Sequence, residues 1–77
     1  MDLDQLRIFA RVADLESFTR AADQLGLAKG RVSTAVQQLE ARLGARLLQR
    51  TTRRVRLTPD GEQFLERCKE LLSLIHI

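Results

Sequence analysis

A mainly α fold with one small β-hairpin is what three stretches of this sequence predict. The first, Ser17–Gly44, sets a short helical pattern and a longer one on either side of a glycine stop. The second, Ala45–Leu57, ends in a polar–apolar alternation crowded with arginine. The third opens at Thr58-Pro59 and carries apolar residues at helical spacing. Two helices, a hairpin behind them and a long last helix make a winged helix-turn-helix followed by a linker helix.

Asp2 with Gln5 three residues on is a capping-box-like start for a first helix, which should run to about Leu15. Leu6, Phe9, Ala10 and Ala13 share one face, and Ile8, Val12 and Leu15 a second, nearly opposite. A helix apolar on two faces needs cover on both. The second cover should come from the last helix, a partner subunit, or both.

Ser17 is a good N-cap for a helix over Phe18–Leu25, in which Ala21 and Ala22 allow close packing. Gly26 should stop it, because glycine enters the left-handed conformation without a Cβ penalty. Leu27 then plugs inward and a longer helix restarts near Ala28. Val32, Val36, Leu39 and Leu43 form its apolar stripe, and Gly44 ends it. Its other side carries Gly30, Arg31, Thr34, Gln37 and Gln38, a hydrogen-bonding front without acids. Such a pair of helices describes a DNA-binding helix-turn-helix. A solvated helical hairpin would share the pattern.

In Ala45–Leu57, Arg54, Val55, Arg56 and Leu57 alternate as a strand does, and a partner strand falls around Gln49–Thr51. Thr52 and Arg53 make the tip. Val55 and Leu57 should face the core, leaving Arg54 and Arg56 outside. Arginine without any acid from Ala41 to Pro59 favours phosphate contact over plain protection of strand edges.

Thr58 as N-cap, Pro59 at the first position, and Asp60 and Glu62 in the first turn begin the last helix. Phe64, Cys68, Leu71 and Ile75 form its stripe, broadened by Leu65 and Leu72. Phe64, Leu65, Cys68, Leu71 and Leu72 are the residues expected to join two copies in a dimer. Cys68 reads as a small hydrophobe rather than a redox centre.

The chain has 77 residues, enough for one small domain, and a formal charge of only +3. The distribution says more than the sum. Residues 29–56 hold eight basic residues against one acid, Glu40, while the rest hold five against nine. That segregation is the footprint of a polyanion binder. An RNA or an acidic protein would suit it as well as duplex DNA. One cysteine excludes an internal disulfide and fits a reducing compartment. No apolar run approaches a membrane span, and the N-terminus is no signal peptide, so a cytoplasmic location is expected. His76 and Cys68 alone make no metal site. No phosphate loop, nucleophile elbow or paired carboxylates are present, so neither enzyme activity nor a cofactor is expected.

The run LDQLRIFARVADLESFTRAADQLGLA, with VSTAVQQLEARLGARLLQRTTRRVRLTPDGEQFL after it, resembles the N-terminal DNA-binding domain of LysR-type transcriptional regulators. The resemblance covers Leu3 to about Leu71. Its most specific part runs from Leu39-Glu40 through Leu43-Gly44 and Leu47–Thr51 to Leu57–Gly61.

The resemblance implies a winged helix-turn-helix over 1–58 and the start of a dimerising linker helix over 59–77. It implies homodimers, tetramers in full-length members, and a small-molecule effector bound by a C-terminal domain of two α/β lobes outside these residues. By position it puts Lys29, Gly30, Arg31, Ser33, Thr34 and Gln37 in the major groove. Arg53 and Arg54 fall in the minor groove, and Arg50 at the phosphate backbone. Arg56 joins them from its outward place on the strand. The runner-up is a winged-helix protein-interaction module that binds an acidic partner.

Two residues depart from the family pattern. Ala28 stands where Ser or Thr is usual, at a cost on the order of 1 kcal/mol as a cap. Gly30 stands where a small polar residue is usual, at up to about 1 kcal/mol in a helix interior. The closing Leu72–Ile77 matches one reading frame of a common transposase-based sequencing adaptor and reads as a library artefact.

Overall fold

The computed structural model describes residues 3–51 and 54–75, the last two by backbone alone. Within them the order is α1 (Leu3–Leu15), α2 (Phe18–Leu25), α3 (Lys29–Leu43), β1 (Leu48–Arg50), β2 (Val55–Leu57) and α4 (Pro59–Ile75). The expected Asp2 cap, the hairpin tip Thr52 and Arg53, the side chain of Ile75, and His76 lie outside the described residues.

Local signals set the helix ends. Ser17 Oγ accepts the Arg20 N–H at 3.1 Å, as an N-cap does. Gly26 sits at φ 67° and Gly44 at φ 64°, the left-handed stops their sequence positions call for. Ala28 opens α3 with extended backbone and no side-chain cap bond. Thr58 Oγ1 accepts the Gly61 N–H at 2.9 Å and donates to the Arg46 carbonyl, so this cap also ties α4 to the approach to β1. One stop had no sequence signal: α1 ends at Glu16, a non-glycine at φ 52°.

The core is built around α1. Phe9 and Val12 have no exposed surface, and Leu6 and Ile8 nearly none. Ile8 and Val12 lie on the second face, whose expected cover is the last helix, a partner subunit, or both. They join the same buried cluster as Phe18, Ala21, Val32, Val36, Leu39, Leu47 and Cys68. The chain's own helices close around α1, so neither residue needs a partner subunit. On α3, Ala35 is buried with Val32, Val36 and Leu39, whereas Leu43 is 38% exposed. The buried stripe therefore ends one turn before the helix does.

The hairpin is antiparallel, with Leu48 opposite Leu57, Gln49 opposite Arg56 and Arg50 opposite Val55. The first strand lies one residue earlier than expected, because Leu48 is buried and pairs with Leu57. Thr51 and Arg54 close the base of the tip: the Thr51 N–H donates to the Arg54 carbonyl at 2.8 Å, and the Arg54 N–H to Thr51 Oγ1 at 3.0 Å.

The division at Thr58 is not a packing boundary. Gly61 is buried on α4, and Phe64 meets Phe9 with ring centroids 5.6 Å apart at 52°. Cys68 is 1% exposed, deep in the core of the domain. It is therefore withdrawn from the set expected to meet a second copy. Phe64 and Leu65 are half-buried against the same core, Leu72 is half-buried, and Leu71 is 46% exposed. Of the five, Leu71 keeps the most open surface because the stripe winds past the edge of α1.

Candidate nucleic-acid interface

The front of α3 is open. Lys29, Gly30, Arg31, Thr34 and Gln37 are exposed, and Ser33 is half-buried. This follows from the helix period: burying Val32, Ala35, Val36 and Leu39 turns the intervening positions outward. Gly30 has open space where a Cβ would stand, so its lack of a side chain answers no need of the chain's own packing. Arg31, Thr34 and Gln38 border a groove against Asp4 and Gln5 of α1, where Gln5 Nε2 donates to Gln38 Oε1 at 3.1 Å. Gln38 is thus engaged by α1, while Gln37 beside it has no such tie to α1.

The arginines of the hairpin divide by strand parity. Side chains alternate across a strand, and directly paired residues share a face. Gln49 and Arg56 lie on the outer face, and Arg54 is exposed at the entry to β2. Arg50 pairs with Val55 on the inner face, with Leu48 and Leu57. Its guanidinium carbon stands 4.2 Å from the centroid of the Phe18 ring, and its Nη2 donates to Ser33 Oγ at 3.0 Å. The family resemblance assigns Arg50 to the phosphate backbone, and here its guanidinium engages Phe18 and Ser33. Arg53 lies outside the described residues.

In the sequence Glu40 reads only as the lone acid of a basic stretch. Its carboxylate accepts the Leu47 N–H at 2.8 Å and the Leu48 N–H at 3.3 Å. It therefore secures the start of the wing to α3. The one signal available was its place in the Leu39-Glu40 to Leu43-Gly44 run.

Among the described residues there is no group of three or more His, Cys, Asp or Glu side chains able to hold a metal ion, and no helix long and apolar enough to cross a membrane. Burial pushes the Cys68 thiol up to about 11, well away from the reactive range.

Three helices, a paired hairpin and an open basic front define a winged helix-turn-helix domain, the class used to bind DNA. The family profile described as "Bacterial regulatory helix-turn-helix protein, lysR family" matches residues 3–62. The chain belongs to that family. It is 56% identical over 68 residues to the transcriptional regulator YhjC of Escherichia coli K12, covering 88% of this chain and 23% of that protein. It is 44% identical over 73 residues to the regulator BenM of Acinetobacter baylyi, covering 95% of this chain and 24% of that protein. The chain thus spans about a quarter of the length of these curated relatives.

Among solved structures, the BenM DNA-binding domain in complex with catB site 1 DNA superposes with a TM-score of 0.95 at 42% identity, covering 99% of this chain and 84% of that one. The complex of the CbnR DNA-binding domain with DNA gives 0.94 at 36% identity, covering 99% and 87%.

Proposed function

We propose that this chain is the sequence-specific duplex-DNA-binding part of a cytoplasmic transcription regulator. Lys29, Gly30, Arg31, Ser33, Thr34 and Gln37 address the major groove. Arg53 and Arg54 reach the adjacent minor groove, and Arg56 meets the backbone. The observation that carries this reading is the Arg50–Ser33 hydrogen bond of 3.0 Å, which fastens the inner face of the wing beside the exposed front of α3. One continuous surface then offers donors from α3 and cations from the wing. Its chemistry is that of a binding module rather than an enzyme.

Self-association belongs to the same reading. We infer that α4 pairs with a second copy through Leu71 and the exposed edges of Phe64 and Leu65, with tetramers built from such dimers in a full-length protein. Effector sensing falls to sequence that the relatives carry beyond the matched quarter. Residues 72–77 we assign to adaptor sequence, which resequencing of genomic DNA tests.

Duplex titrations at two salt concentrations test the function. The expected result is affinity that falls steeply with salt, with a sequence preference on top of it. Equal binding to every duplex, together with tight binding to an acidic protein, overturns the reading in favour of a protein-interaction module.

A further inference from the structure

Arg50 is the last residue of β1. Pairing with Val55 puts it on the inner face of the hairpin, where Leu48, Val55 and Leu57 pack toward the core. An arginine at that parity cannot project with Arg56. It instead lays its guanidinium against Phe18, which is 6% exposed at the start of α2, and bonds Ser33 on α3. One side chain therefore touches the wing and both helices of the helix-turn-helix.

A planar guanidinium can lie flat over a ring and donate within its own plane at the same time, whereas a lysine ammonium has no plane to stack and no fixed donor fork. The Ser33 oxygen is occupied as an acceptor, which leaves its hydroxyl proton to be donated outward.

We propose that Arg50 is a positioning residue of the DNA interface: held between the Phe18 ring and the Ser33 hydroxyl, it fixes the wing against α3 so that the two meet one duplex in a set relation. This rests on the DNA-binding reading above. It differs from a phosphate anchor, which would act through charge alone.

The test has two arms, both on the full chain. In the first, without DNA, NMR follows the Arg50 side-chain protons. Stacked over a ring face, they are expected upfield of ordinary arginine positions in the parent and back near them in Phe18→Leu. Ser33→Ala, which leaves the ring in place, is expected to speed amide exchange in β1 and β2. Ordinary Arg50 shifts in the parent, or unchanged exchange in a folded Ser33→Ala variant, overturn the proposal.

In the second arm, the probe is a duplex that the parent chain selects from a random-sequence pool. Arg50→Lys and Arg50→Gln are each expected to lose roughly tenfold in preference for it over a scrambled duplex, the scale of one stacking contact and one charged hydrogen bond. Their salt dependence should run parallel to that of the parent. A parent-like Arg50→Lys, with a salt slope shallower by about 0.9 in Arg50→Gln, makes Arg50 a phosphate anchor and overturns the proposal. If the parent selects no duplex, the DNA-binding reading fails by itself, and the NMR arm still decides whether Arg50 holds the wing.

Discussion

The Glu40 carboxylate on α3 takes the Leu47 backbone N–H at 2.8 Å and so closes the connection between α3 and the wing. Glu40→Ala should leave two part-buried N–H groups without their acceptor. Each such loss costs about 1–3 kcal/mol. A fall of this order in the urea-derived unfolding free energy is expected. Both N–H groups go to Oε2, so Glu40→Gln keeps an oxygen able to accept both and should lose less. Because either change removes an acid from a basic surface, weak binding to random DNA at low salt should persist or rise in whatever fraction stays folded.

Two glycines should respond to alanine in opposite directions. A Cβ on Gly61 would stand 2.0 Å from the Leu47 carbonyl oxygen and 2.9 Å from its carbon, both backbone atoms that cannot swing aside. Gly61→Ala should push α4 off the wing and cost about 1–3 kcal/mol or more. A Cβ on Gly30 meets nothing within 4 Å. Gly30→Ala should stabilise the free protein by up to about 1 kcal/mol, less if the helix end frays. It should also weaken duplex binding if the backbone there approaches DNA. Thermal melts and duplex titrations of the two variants separate these effects.

Cys68 should make the domain sensitive to alkali. Burial raises the thiol from its ordinary value of 9.0 to about 11. The unfolded chain releases that proton first, so the stabilisation is whole below about pH 9 and fades as pH rises to about 11. The amount at stake is about 2–3 kcal/mol. Urea midpoints measured across that window should fall in the parent and fall less in Cys68→Ala. A thiol reagent at neutral pH should label the native protein only as fast as it opens.

Base reading should sit in α3 and groove-width reading in the wing. Arg31→Ala should flatten preference at one or two positions of the selected duplex, a loss of about 1–3 kcal/mol in discrimination. Arg53→Ala should lose affinity mainly on sites with A·T-rich flanks, whose narrow minor groove attracts arginine. Lysine there should restore it only in part. Arg56→Ala should weaken all duplexes alike and shallow the salt slope by about one unit, with lysine recovering most of the loss. Parent-like binding by all three variants would strip the hairpin and α3 of these roles.

Association should run through the outer edge of α4. Leu71→Asp adds a charge at the most exposed large apolar residue of that helix among the described residues and should shift sedimentation toward the monomer without lowering the melting temperature. Cys68→Asp, by contrast, should unfold the chain, because it buries a charge in the core. A strict monomer at high micromolar concentration in the parent would end the dimer reading.

The caps and stops were legible in the sequence because they are local chemistry. Ser17, Gly26, Gly44 and Thr58-Pro59 act within a few residues, and each falls where a helix begins or ends. The alternation of Val55 and Leu57 with Arg54 and Arg56 likewise carried the wing and its outward cations. The basic front of α3 followed from helical period alone.

What only the tertiary structure decided is what depends on partners distant in the chain. A strand's parity is fixed by its pairing, and the pairing of Arg50 with Val55 sets its guanidinium against Phe18 and Ser33, contacts that its place in the sequence does not reveal. Glu40 found its acceptor role seven residues away, and Gly61 owes its lack of a side chain to a carbonyl on another segment. Ile8 and Val12 are covered because α1 lies among its own chain's helices, while Leu43 runs out past the core's edge. Period says which residues share a face. How far a neighbouring element reaches along that face is a property of packing, and this packing moved Cys68 into the core and left Leu71 in solvent.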